Sequence, residues 1–381
     1  MLRLRRPNKN IGNNILVLII ALNLLSFLDK KIFDIYESIF YYGNLLILIA
    51  VFVFLRTKIT KEEIINIMFM LIILIYSTFT LFITKGGFGS VITLLYSYFL
   101  LLNLYKFKYD NKNIKRLLIV LILVNFYWAY NSTDYYIKSK FYREEYINSN
   151  TVGMLLMYTA IYIKIFLKKL NAKSYKFLVM FIYIISLWSI INVQSRGALI
   201  SLIAFIVLDN LTPKKIWKYR KNTLFVFVTI IFLGTIFPFL YINMYLSGKD
   251  FLIPFVKKSL YTGRESIWVN FINLMGKKPI SWLFGLGSRV NLWDYGSLNL
   301  HNNYLAIIAN FGIIGHILYY YFIILQINNI YKYKHITNVS ISSIIGFLCV
   351  LIIGYVEVST LWHMMFFLNF MFLGLAYQNN E

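Results

Sequence analysis

The 381-residue chain contains one cysteine, Cys349, and only 15 acidic residues. A lone cysteine within an apolar stretch excludes a disulfide framework and a cysteine metal site. Charged residues make up 14% of the chain, against about 25% in an average soluble domain, which argues against a water-soluble protein. No Asp-x-Asp occurs, and acids such as Asp29, Asp34, Glu37, Asp134, Asp250, Glu265 and Asp294 are scattered. Hard-cation sites need oxygen ligands that converge, so the sequence gives no carboxylate metal site. No internal repeat of fixed period is visible, and Asn23 to Asp29 offers no small-x-small cleavage site after the first apolar run.

What the chain has in abundance is apolar sequence, 59% of its residues. Runs of about 20 apolar residues match the bilayer's hydrocarbon thickness. They recur near residues 12–28, 39–55, 64–83, 88–105, 114–130, 151–167, 175–193, 197–211, 223–246, 303–325, 339–356 and 360–377. The expected fold is therefore an all-α polytopic membrane protein with about twelve transmembrane helices. The formal charge is +23, which in a soluble chain would suggest nucleic acid. With both termini cytoplasmic, the cytoplasmic segments carry 23 of the 38 Lys and Arg residues. The basic excess then reads as an orientation signal, because Lys and Arg are retained inside in short loops, and no nucleic-acid partner is expected.

One segment, 247–302, is longer than the other loops and falls on the outer face in this topology; long loops are often functional. Within it, Arg264 to Leu274 places Ile267, Trp268, Phe271, Ile272 and Leu274 on one side, the pattern of an amphipathic helix lying at the membrane interface. Four pieces stand out in and around it: Ser195-Arg196-Gly197-Ala198; Gly263-Arg264 with Trp268; Pro279 leading to Gly285-Leu286-Gly287; and His301-Asn302 with Tyr304-Leu305 and Gly312 to Gly315. An arginine at membrane depth is costly and usually faces a polar cavity or a partner.

In this order and spacing, the pieces resemble the O-antigen ligase and polymerase family of bacterial membrane proteins, over residues 148–375. Asn148-Ser149-Asn150 looks like the family's Asn-x-Asn turn, with Ser where Pro is common, and Glu357 falls where the family often has an acid. The resemblance divides the chain into N-terminal membrane helices (1–147), which carry no nameable motif, and a family-like membrane region (148–377) that includes the 247–302 loop. It implies a multi-pass protein of the cytoplasmic membrane, similar to the lipid-phosphate-dependent integral-membrane glycosyltransferases. Such a protein transfers glycan from a polyprenyl-diphosphate-linked donor to a sugar hydroxyl on the outer face. The leading expectation is a surface-polysaccharide polymerase acting on a lipid-linked acceptor. The alternatives are a ligase passing finished glycan to a lipid core or protein and, in a different class, a twelve-helix transporter.

For that chemistry, Arg196 and Arg264 suit the diphosphate, because a guanidinium offers paired donors and stays charged. His301 suits the acceptor hydroxyl, since imidazole accepts a proton near neutral pH, and the family's conserved histidine occupies the matching position. Arg264 could instead pair with Glu265, and Asn302 could cap the helix that follows it. Arg289, Asn302, Trp268 and Glu357 are the substrate-binding candidates. No cofactor and no metal are expected, the arginines replacing a cation. Expected partners are the lipid-linked donor, the saccharide acceptor and the bilayer, with a flippase and a chain-length regulator as further candidates.

Overall fold

The computed structural model describes residues 9–55, 61–84, 89–171, 175–248, 252–253, 258–259, 263–287, 300–333 and 335–377. Each of the twelve expected spans has a helix: α1 (Lys9–Ser26), α2 (Lys30–Leu55), α3 (Lys61–Thr84), α4 (Gly89–Lys106), α5 (Asn111–Tyr130), α7 (Ser149–Lys169), α8 (Tyr175–Asn192), α9 (Arg196–Asn210), α11 (Arg220–Leu246), α14 (Asn303–Tyr333), α15 (Asn338–Ile353) and α16 (His363–Tyr377). Four further helices are shorter or amphipathic: α6 (Tyr135–Phe141), α10 (Lys214–Lys218), α12 (Arg264–Lys277) and α13 (Ile280–Phe284). A two-residue antiparallel pair, Leu252–Ile253 with Lys258–Ser259, completes the regular structure among the described residues. Among the described residues, six helices are individually long and apolar enough to cross a membrane, or seven if the halves of α2, bent by 62°, form one span. The protein is a multi-pass, all-helical membrane protein.

The ends of these helices follow local chemistry. Asp110 accepts from Asn113 N at 2.9 Å ahead of α5, Asn148 accepts from Asn150 N at 2.8 Å ahead of α7, and Thr337 with Ser340 forms a capping box on α15. Each satisfies a backbone donor that a helix start otherwise leaves unpaired. The Asn148-Ser149-Asn150 turn is therefore a cap in physical terms.

Helix α7 is the axis of the bundle, packed by α5, α8, α9 and α15 and buried along nearly its whole length. By contrast, α3, α8 and α11 present apolar faces outward, with Phe82, Phe177 and Phe225 each more than 70% exposed. That division suits a lipid solvent. Where lipid replaces water, apolar burial no longer drives helices together, and polar bridges between them gain importance. Asn125 Nδ2 donates to Thr159 Oγ1 at 2.8 Å and Ser186 Oγ at 3.0 Å, joining α5, α7 and α8. Tyr158 and Tyr162 on α7 donate to Asn369 Oδ1 and Leu368 O on α16.

One crossing depends on glycine. Helix α14 breaks at Gly312, whose backbone leaves the helical range with φ +67°. A Cβ there would meet Leu283 O at 2.1 Å, and one at Gly285, also at positive φ, would meet the Asn310 carbonyl carbon at 2.6 Å. Only glycine allows both the backbone angle and the approach. Across the gap Leu286 N donates to Ala309 O at 2.6 Å, and Tyr76 on α3 bridges Leu283 O (3.0 Å) and Phe311 O (2.7 Å). The Gly285-Leu286-Gly287 and Gly312–Gly315 pieces of sequence are thus the two halves of one backbone contact, held shut by a residue of the N-terminal region.

Candidate active site

Arg264 opens α12 immediately after Gly263, which takes a left-handed φ of +87°. Glu265 does not hold it by any ion pair seen among the described residues; its carboxylate accepts from Gly263 N at 2.8 Å, capping its own helix. Arg264 Nη2 instead donates to Glu357 Oε1 at 2.6 Å. The expected amphipathic pattern is real, but the apolar face of α12 does not lie on lipid. Trp268, Phe271 and Met275 are buried in a second core with Tyr241 and Ile242 of α11 and Leu305, Ala306, Ile308 and Ala309 of α14. Their i, i+3, i+7 spacing faces protein rather than membrane.

His301 precedes α14 with a left-handed φ of +47°, a conformation that costs a non-glycine residue of order 1 kcal/mol or more. Its neighbours hold it there. Trp268 Nε1 donates to Leu300 O at 2.6 Å, tying α12 to the residue just before it. Asn302 Oδ1 accepts from Leu305 N at 2.8 Å, the cap of α14, while Asn302 Nδ2 donates to Tyr355 O at 2.8 Å. Asn303 N donates to Gly354 O at 2.8 Å, and Asn303 also exchanges bonds with Thr360 at 2.6 and 2.9 Å. These bonds clamp residues 302–303 to the α15–α16 connection, residues 354–360, in whose middle stands Glu357.

Glu357 is consequently brought to His301, with its Oε2 3.3 Å from His301 Nδ1 while its other oxygen takes Arg264. One carboxylate bridges a guanidinium and an imidazole that lie 93 and 56 residues away in the chain. The carboxylate is 9% exposed, Arg264 20% and the imidazole 27%. The arginine and the imidazole therefore keep part of their surface exposed while the acid between them is nearly covered.

The start of α9, at Gly197, packs against the same connection. A Cβ on Gly197 would lie 2.4 Å from Val356 Cγ2, and one on Gly153 would lie 2.2 Å from Ser195 Cβ. The small residues around Arg196 thus let its helix start press against α7 and against the residue next to Glu357. Arg196 opens α9, one residue ahead of the expected span 197–211, and is close enough to Arg264 for the two cations to interact electrostatically. Just before it, Gln194 has a left-handed φ of +56°, and its buried Oε1 has no hydrogen-bond partner among the described residues.

Residues 181–320 match the family model described as O-antigen ligase. The matched segment, 140 of the 381 residues, is similar to the O-antigen ligase/polymerase family. No curated protein and no solved structure matches the chain. The O-antigen ligase match includes Arg196, Arg264, Trp268, Arg289, His301 and Asn302, and it ends before Glu357.

The structure brings Arg264, His301 and Glu357 into direct contact, and Arg196 lies within electrostatic range of Arg264. Trp268 and Asn302 are buried, with polar atoms spent on Leu300, Leu305 and Tyr355, so their geometry is that of positioning residues. Arg289 lies outside the described residues. Among the described residues no group of three or more His, Cys, Asp or Glu side chains is placed to hold a metal ion. The bridge through Glu357 and the Asn303 clamp were not readable from sequence, since nothing in the spacing of residues 264, 301 and 357 announces contact. The Asn302-Asn303 pair was the available signal, two side chains able to cap a helix and reach a neighbouring loop at once.

Proposed function

We propose that this protein extends a surface polysaccharide, transferring glycan from a polyprenyl-diphosphate-linked donor to a sugar hydroxyl of a lipid-linked acceptor. The observation that carries this reading is the Arg264–Glu357–His301 chain, with Arg196 within electrostatic range of Arg264. Glu357 accepts at His301 Nδ1 and so leaves Nε2 as the basic nitrogen, able to take the acceptor's proton. The acceptor oxygen bonds to the anomeric carbon as the bond from that carbon to the diphosphate oxygen breaks. The leaving diphosphate gains negative charge, which Arg196 and the Arg264 N–H groups not directed at Glu357 stabilise by paired hydrogen bonds. With both arginines present the reaction proceeds without a divalent cation. The site faces the outer side of the cytoplasmic membrane, both termini lie in the cytoplasm, and the lipid tail stays in the bilayer while its headgroup reaches the arginines.

A second reading, a ligase that passes a finished glycan to another acceptor, is favoured by the description of the matched family. Purified protein given a lipid-diphosphate oligosaccharide separates the two. A ladder of products growing by one repeat unit is the expected result. Transfer of one intact block to an added lipid-core acceptor would replace polymerase with ligase, and no transfer to either acceptor would overturn both.

A further inference from the structure

At the end of α9 away from Arg196, a cavity of about 480 Å³ opens between α7, α8 and α9. Its lining includes Lys164, Lys168, Lys176 and Lys214, with Asp209 as the single acid and Tyr183 beside them. Asp209 is almost wholly buried, paired with Lys164 and with Lys214 at 2.8 Å, and Ser342 Oγ donates to it at 2.8 Å. One carboxylate faces four lysines, so basic side chains outnumber acidic ones in the lining. Tyr183 lines the same cavity, and its buried hydroxyl has no hydrogen-bond partner among the described residues. A buried hydroxyl without a partner is costly, and an anion's oxygen would satisfy it.

The neighbouring face of α8 supplies a second clue. Phe177, Met180, Phe181 and Ile184 are exposed there, and Met180 also lines the cavity. Cationic headgroup contacts next to an outward apolar stripe suit a molecule with a charged head and an apolar tail. The volume lies within the range of sites for small ligands, about 300–1,000 Å³, and basic pockets between membrane helices suit phosphate headgroups.

We propose that this cavity binds a phosphate-bearing anion, the headgroup of an anionic phospholipid whose acyl chain lies along α8, at a site separate from the Arg196–Arg264 centre. The test uses the full-length protein in phosphatidylcholine nanodiscs, with phosphatidylglycerol titrated in and bound lipid counted by native mass spectrometry. Phosphatidylglycerol should bind in preference to phosphatidylcholine. K176Q/K214Q should weaken that binding about tenfold or more, and Tyr183→Phe by a few-fold, about what loss of one hydrogen bond to a charged group gives. Tyr183→Phe changes one oxygen atom, so it keeps the test open if the double variant folds poorly. Inorganic phosphate titrated into the same nanodiscs identifies the source. Phosphate binding alone, with the same sensitivity to the variants, would keep the anion site and replace the lipid with a soluble phosphate. Equal binding of both lipids with no effect of phosphate would overturn the proposal. So would an equal loss from K112Q/K115Q, exposed lysines of α5, since that would make the preference a matter of general surface charge.

Discussion

Two polar clusters sit at opposite ends of α9, and each places one carboxylate between two nitrogen-bearing side chains. At one end Glu357 joins Arg264 and His301, with Arg196 within electrostatic range of Arg264; at the other Asp209 joins Lys164 and Lys214. Arg196 and Asp209 are thirteen residues apart on the helix, about 20 Å at 1.5 Å per residue. The clusters differ in access and in chemistry. Asp209 is 1% exposed and also receives Ser342, so its pairing with buried Lys164 is closed on the protein side, while its other partner, Lys214, keeps 32% of its side chain open toward the cavity. Glu357 is buried too, but its partners keep 20% and 27% of their side chains open, and one of them is an imidazole. A closed pair binds helices together, whereas a covered carboxylate between two partly exposed groups leaves both able to meet something else.

This contrast can be broken experimentally, and the largest effect is expected at the open end. His301→Ala should lower glycan transfer by about 10²- to 10⁴-fold, the range for loss of a general base, with membrane insertion intact. Near-normal product would remove His301 from the chemistry. At the closed end, Asp209→Ala should cost about 3–5 kcal/mol of stability, because it leaves Lys164 buried without its counter-ion; an unchanged thermal midpoint would show that the pair is no staple. Arg264→Ala should reduce transfer by about 10²- to 10³-fold, by analogy with deletion of one donor to developing charge, and Arg196→Lys should also be impaired because an ammonium lacks the planar fork. Wild-type rates from both would reduce the arginines to surface charge.

A milder change sharpens the comparison further. Glu357→Gln keeps the shape but loses the charge that orients both partners, so the turnover rate should fall about tenfold with little change in KM, the loss expected from weakening one charge-assisted bond. A change confined to KM would instead make Glu357 a substrate contact. The smallest expected effect is at the glycine crossing. Tyr76→Phe should cost about 1 kcal/mol, since two carbonyls lose a shared donor, and a measured loss of zero would mean that the crossing holds itself.

The sequence showed where helices form but not how they are arranged about the site. Ile64 to Ile83 and Thr223 to Tyr245 announce themselves because the bilayer demands long unbroken apolar runs, a requirement met within one stretch of chain. Residues 264–274 were legible as an amphipathic helix for the same local reason, yet the surface that covers Trp268 and Phe271 comes from α11 and α14. Hydropathy does not distinguish a lipid from a buried protein face, as both are apolar. Asn302 shows the same division, with its capping role open to inspection and its bond to Tyr355 hidden.

What the sequence determined by itself, then, is the class of protein, the position of each helix and the chemical types gathered near the long segment, since all of these follow from composition and short-range spacing. Tertiary structure alone decided that Glu357 bridges Arg264 and His301, that Gly285 and Gly312 close on each other beneath Tyr76, and that Lys164 meets Asp209. These are contacts between segments tens to hundreds of residues apart. Their partners are chosen by how helices pack and which buried polar groups must be satisfied, and that choice is made only when the bundle assembles.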